Sequence, residues 1–174
     1  MWNGTALDKE LTEIRSGDAY RVQTSGRFVI RRELAAELNK VLERFAREAG
    51  FTRAHPVEVG FERGIFGHHK VGRAADIYRL ARIGMEEWKA KWDQAKQAEA
   101  YRKDPSGALS PLAKERQTNL GWRLYQALKN YGRWSQPYGY PIQLFGPWTR
   151  TEGPWKYISD FLLHAHRDHI HVSK

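Results

Sequence analysis

Leu34, Leu38, Val41, Leu42, Phe45 and Ala49 recur at helical spacing, with Arg, Glu and Lys between them. The spacing predicts a helix that lays one apolar face on a core. Gly50 follows directly, as a left-handed C-terminal cap would. The period then changes. Val57, Val59 and Phe61 alternate with Glu58, Gly60 and Glu62, which is the pattern of a half-buried strand. Gly64-Ile65-Phe66-Gly67 predicts a loop, and Ala74-Ala75-Asp76-Ile77-Tyr78 a second strand whose small residues leave room for close neighbours.

Polar residues 5–17 predict a short helix, capped by Thr5 or Asp8. Residues 20–24 and 28–30 flank Ser25-Gly26-Arg27 and predict a β-hairpin. Residues 84–103 predict a second helix with the stripe Met85, Trp88, Trp92, Ala95 and Ala98, a charged element between the two histidine-bearing halves of the chain that is either an inserted surface helix or a substrate lid. Asp104-Pro105-Ser106-Gly107 ends it. A third helix opens at Ser110 and Pro111, is lined by Leu112, Leu120, Leu124, Leu128 and Tyr131, and stops at Gly132. Residues 133–155 carry Trp134, Tyr138, Tyr140, Phe145, Trp148 and Trp155 among prolines and glycines. Such an ordered loop either lines a binding groove or caps a core. The length suits one domain over residues 1–174. Residues 1–33 form an N-terminal extension with the hairpin, and residues 84–104 the inserted helix.

Composition narrows the class. At 41% apolar and 13% aromatic the chain has enough material for a packed interior. No apolar run approaches the ~20 residues that cross a bilayer, so no membrane partner is expected. The first residues lack the basic region and apolar stretch of a signal peptide. Absence of cysteine removes disulfides and thiol catalysis. The net charge of +9 favours polyanions, either nucleic acid or the anionic polymers of a bacterial cell wall.

The chemistry lies in the histidines. Six of the seven fall in two groups: His68 and His69, then His164, His166, His169 and His171. The first group is seven positions from Asp76, in the second predicted strand. In an extended C-terminal segment His169 and His171 share one face, and Ile170 and Val172 hold the other to the core. By the same alternation Asp168 faces away, unless the chain bends. Two imidazoles and a carboxylate with a fourth position open, as His69, Asp76 and His171 would supply, suit a catalytic zinc. A structural zinc closes its shell with thiolates. His68 is expected to face solvent or to support a ligand, and His164 to be structural.

His69-Lys70-Val71-Gly72-Arg73-Ala74-Ala75-Asp76 resembles the His-x-x-Gly-x-Ala-x-Asp motif of zinc peptidases that cut peptidoglycan peptides. That group includes D-alanyl-D-alanine carboxypeptidases and dipeptidases, phage L-alanyl-D-glutamate endopeptidases and penicillin-insensitive murein endopeptidases. Lysostaphin-type enzymes and the hedgehog signalling domain share its zinc architecture. His166-Arg167-Asp168-His169-Ile170-His171 is similar to the His-x-x-His-x-His ending of the murein endopeptidases. The resemblance covers roughly residues 34–174. It departs at Gly67, where relatives usually carry Ser, and lacks the Trp-Trp or Pro that many place before the last histidine.

The resemblance implies Zn2+ held by His69, Asp76 and His171, and an α+β fold in which a small, mostly antiparallel sheet packed with helices carries them. It implies an oxyanion-stabilising role for a basic residue near Arg63. Carboxypeptidase relatives use an acid three positions before the last zinc histidine as general base, here Asp168. Murein endopeptidases place histidines at the positions of His166 and His169. The expectation is Asp168 as base, with His169 and His166 contacting the water or the oxyanion. The alternative is that Asp168 orients one of those histidines. The implied partners are bacterial peptidoglycan peptides, met by a monomer. Release as a phage lysin, or delivery as a toxin, would bring it to the wall. Two other classes stay open: a nucleic-acid binder or metal nuclease, and a zinc-holding module that no longer cuts.

Overall fold

The computed structural model describes residues 10–62, 64, 67–82, 87–103, 115, 117–134, 143–148 and 165–174. Within them the chain forms β1 (Leu11–Glu13), β2 (Tyr20–Thr24), β3 (Val29–Arg31), α1 (Arg32–Glu48), β4 (Val57–Glu62), a 3-10 helix (Gly67–Val71), β5 (Ala74–Arg82), β6 (Glu87–Lys89), α2 (Ala90–Lys103), α3 (Leu120–Tyr131), β7 (Leu144–Phe145) and β8 (Ile170–Ser173). This is an α+β arrangement, as expected. The main sheet runs β2-β4-β5-β8-β7, with β6 also on β5; β1 and β3 form a separate pair. Only the β2–β4 pairing is parallel; the other pairings of the main sheet are antiparallel.

The predicted first helix is α1. It buries Leu34, Leu38, Val41, Leu42 and Phe45 in the core that also holds Val57, Val59 and Phe61 of β4, and it packs on α3, β1, β2 and β3. Each such side chain contributes roughly 1.5–3 kcal/mol by leaving water. Gly50 carries the positive φ of the predicted cap. Glu37 is the charged exception on the buried face. It accepts from Lys40 Nζ, from the Arg133 amide at 2.9 Å and from Lys174 Nζ at 3.4 Å. Burial pushes its carboxyl up, but these donors hold it below its ordinary value. The clamp ties the end of β8 to α1.

Four expectations are corrected. Leu11–Glu13 is a strand paired with Val29–Arg31 instead of part of a helix; residues 1–9 lie outside the described residues. Helix preference over so short a piece is worth tenths of a kcal/mol per residue, and strand pairing outweighs it. The hairpin strands exist but do not pair with each other. β2 lies parallel to β4, and β3 runs straight into α1. Tyr20 Oη reaches Asn39 Oδ1 of α1 at 2.8 Å, which fixes β2 under that helix.

The predicted second helix begins only at Ala90. Trp88 belongs to β6, opposite Leu80, and is buried, whereas Trp92 is 49% exposed and Ala95 is exposed. The supposed stripe is thus one inward strand residue, Trp88, followed by a helix in which, among the described side chains, Ala90 and Asp93 are buried; Met85 lies outside the described residues. Asp93 accepts from Trp88 Nε1 and from Asn119 Nδ2. The third helix starts at Leu120, where Asn119 Oδ1 accepts the Trp122 amide at 2.9 Å, and ends before Gly132. Ser110, Pro111 and Leu112 lie outside the described residues.

Of the aromatic stretch, Trp134, Phe145 and Trp148 are buried. Trp148 packs among Trp88, Trp122 and Tyr125, with ring centroids 5.5–5.9 Å apart. Trp134 and Trp148 belong to the core, whereas Phe145 packs on His166 and His171; Tyr138, Tyr140 and Trp155 lie outside the described residues. No helix among the described residues is long and apolar enough to cross a membrane.

Candidate metal centre

β5 supplies the carboxylate, and an irregularity aims it. Gly60 pairs with Arg79, but Phe61 pairs with Ile77, so Tyr78 is an extra residue in the ladder. A bulge of this kind shifts side-chain alternation by one. Ala75, Ile77 and Leu80 can therefore all enter the core, although Ile77 and Leu80 are three apart. Asp76 takes the opposite face. Directly across the next strand pairing stands His171. Ile170 and Val172 are fully buried on the other face of β8, as the alternation predicted.

His69 arrives from the 3-10 helix, which is closed by the Gly72 amide on the His69 carbonyl (3.1 Å) and the Arg73 amide on the His68 carbonyl (2.9 Å). Gly72 has φ +69° and its carbonyl accepts the Arg31 amide at 2.8 Å. A Cβ there would stand 2.7 Å from Leu11 Cδ2. The glycine of the first motif is thus a backbone hinge seated on β1 and β3. Gly72→Ala is expected to destabilise the chain by about 2 kcal/mol, from the left-handed conformation and the added contact. Urea unfolding checks this; unchanged stability would contradict it. Gly64 does a related job. A Cβ there would come within 2.5 Å of the His69 ring, so only glycine lets that imidazole lie where it does.

The three expected ligands meet. His69 Nε2 is 3.2 Å from Asp76 Oδ2, and His171 Nδ1 is 2.9 Å from Asp76 Oδ1. One ligand atom from each lies within 4.8 Å of the others. His169 Nε2 stands 3.5 Å from Asp76 Oδ1, and its Nδ1 is 2.8 Å from Asp168 Oδ1. The chain bends over residues 167–169, so Asp168 lies behind His169. His166 stacks on Phe145 at 4.8 Å and lies 4.9 Å from the His171 ring. His68 supports the frame: its Nδ1 is 2.9 Å from Ser173 Oγ, which donates to Gln143 Oε1 at 2.8 Å. Arg63 and His164 lie outside the described residues.

Burial pushes the Asp76 carboxyl up, but the hydrogen bond from His171 and the surrounding imidazoles hold it below its ordinary value. Burial lowers His69, against the pull of Asp76 and with help from His171 and His169. The centre is therefore poised as a carboxylate with a His69 ring that resists protonation. Among the described residues the ion-pair partners of Asp76 are imidazoles. Each ring nitrogen facing the carboxylate needs a proton to bond it, and a divalent cation seated there takes the place of those protons. Two nitrogens and a carboxylate, mostly buried and drawn from three elements, fit a metal ion.

Sign and window of a pH effect follow. Below about 6.5, the ordinary histidine value, an unfolded His69 takes up a proton that the buried ring resists. The unfolded state then binds more protons, so folding stability falls with pH. Asp76 acts in the same sense below about 3.8. Metal-free protein is expected to melt at a lower temperature at pH 5 than at pH 7. A higher melting temperature at pH 5 would contradict the burial of His69.

Comparison with known proteins finds no matching family model, curated protein or solved structure. The centre's own chemistry is the guide to function. Its supports Gly64, Phe145, Gln143 and Ser173 were not singled out from the sequence as site residues. Only Ser173, two residues beyond His171 on the same strand face, carried a positional signal.

Proposed function

We propose that the chain is a zinc-dependent peptidase that hydrolyses peptide cross-links or stem peptides of bacterial peptidoglycan. In this reading its sheet and helices belong to the fold type of D-alanyl-D-alanine peptidases and the hedgehog domain. The observation that carries it is the convergence of His69, Asp76 and His171 from the two distant motif segments. Zinc bound there supplies Lewis acidity, which activates water near neutral pH and polarises a carbonyl.

The chain's own residues do the rest. Asp168 accepts the His169 Nδ1 proton, which fixes the tautomer and leaves the Nε2 lone pair toward Asp76. The Asp168–His169 pair is then placed to take a proton from the nucleophile and return it to the leaving amine. His166, held flat on Phe145, faces the same space and suits contact with the oxyanion. Arg63 belongs to the same proposal as a further oxyanion partner.

The test is digestion of purified murein sacculi with zinc-loaded protein, followed by mass identification of the fragments. New amino or carboxyl termini in wall peptides, lost on chelation and restored by Zn2+, are expected. Full cleavage after thorough zinc removal, or none with zinc bound, would refute the proposal. The net charge of +9 favours a second reading, a nucleic-acid binder or metal nuclease. A gel shift over a salt series tests it: binding without cleavage marks a polyanion surface alone.

A further inference from the structure

His166, His169 and His171 form a second set of three whose ligand atoms lie within 4.8 Å of one another. It overlaps the set of His69, Asp76 and His171 only at His171. Its members are pre-set as ligands of a metal ion usually are. His169 has its Nδ1 against a carboxylate, Asp168 Oδ1 at 2.8 Å, which makes Nε2, 3.5 Å from Asp76 Oδ1, its ligand atom. His166 is fixed by stacking on Phe145, with its ring 5.2 Å from that of His169 and 4.9 Å from that of His171. His171 is nearly fully buried on β8. None of the three belongs to the hydrophobic core, so an ion held among them displaces no core side chain.

We infer that the chain holds a second, weaker position for a divalent transition-metal ion on His166, His169 and His171, filled when metal is in excess. Three imidazoles without a carboxylate suit Zn2+, Co2+ or Ni2+ and not Mg2+ or Ca2+, which take oxygen ligands. The neighbouring set includes the Asp76 carboxylate, whose negative charge makes it the tighter position. Both are filled together when His171 releases its remaining ring proton to solvent and bridges the two ions as an imidazolate, one ring nitrogen to each. An ion here ties up the Nε2 lone pair of His169, the atom that the proposed chemistry uses to move a proton. Excess metal is therefore an inhibitor built from the site's own residues. The inference rests on the metal reading of the neighbouring centre and not on the identity of the substrate.

The experiment is a titration of the metal-free full chain with Zn2+, and separately with Mg2+, read as bound ions per chain by equilibrium dialysis against a chelator series. Two Zn2+ of distinct affinity and no Mg2+ at the second position are expected. His166→Ala should remove the weaker ion and keep the tighter one. Asp168→Asn, which keeps the shape, should weaken the second ion about 10–100-fold. Thermal melting of both variants reports folding independently. Saturation at one ion, or a second ion indifferent to both substitutions, overturns the second position. A chain that binds none overturns the primary centre as well. Murein digestion is scored apart, so a failed peptidase reading would not be mistaken for either result.

Discussion

Asp76→Asn is expected to abolish the tightly bound zinc and, with it, cleavage of murein. The substitution keeps the side chain's shape and its place opposite His171. It removes the charge on which both facing ring nitrogens converge. Loss of a partner behind a metal ligand lowers affinity about 10–100-fold, so loss of an anionic ligand itself should exceed about a hundredfold. Folding should survive, because the core face of β5 is held by Ala75, Ile77 and Leu80. Zinc content after dialysis, with a melting curve as control, decides the matter. An Asn variant that retains one tightly bound zinc would show that the ion, if any, sits elsewhere.

The second large effect separates the two candidates for proton transfer. His169→Ala should lower turnover by about 10²–10⁴-fold at equal zinc occupancy, the range for loss of a positioned acid–base group. Asp168→Asn should lower it by about 10–100-fold, as loss of an orienting carboxylate does. The geometry sets this order. His169 Nε2 lies 3.5 Å from Asp76, whereas Asp168 bonds the opposite nitrogen of the same ring. If the Asn variant falls as far as the Ala variant, Asp168 itself takes the proton. Near-normal turnover in the Ala variant would remove His169 from the chemistry.

Much of the frame could be read from residue spacing. α1, β4 and β8 each have one apolar face over a sustained run, so the periodicity named both the element and its buried side. The ligand set came from the motif resemblance; alternation added only that a strand that pins Ile170 and Val172 in the core turns His171 outward. What periodicity could not reach was partnership. Residues 20–24 and 29–31 look like strands wherever they pair, and only tertiary contacts send β2 to β4 and β3 to β1. Trp88 was absorbed into a helical stripe because Trp92 follows at four residues, a spacing that a strand entering a helix also satisfies. The bulge at Tyr78 left no mark in composition, yet it lets β5 bury Leu80 while Asp76 faces the histidines. Alternation puts Asp168 on the far face unless the chain bends. The bend before β8 breaks that alternation and sets the carboxylate behind His169.

Anomalous diffraction at the zinc edge, from crystals of zinc-loaded protein, tests the metal centre most directly. One strong peak should lie about 2.0–2.2 Å from His69 Nε2, from an Asp76 carboxylate oxygen and from His171 Nδ1. A loaded crystal with no peak among these three atoms, or with its tightest ion held by other residues, would contradict the account.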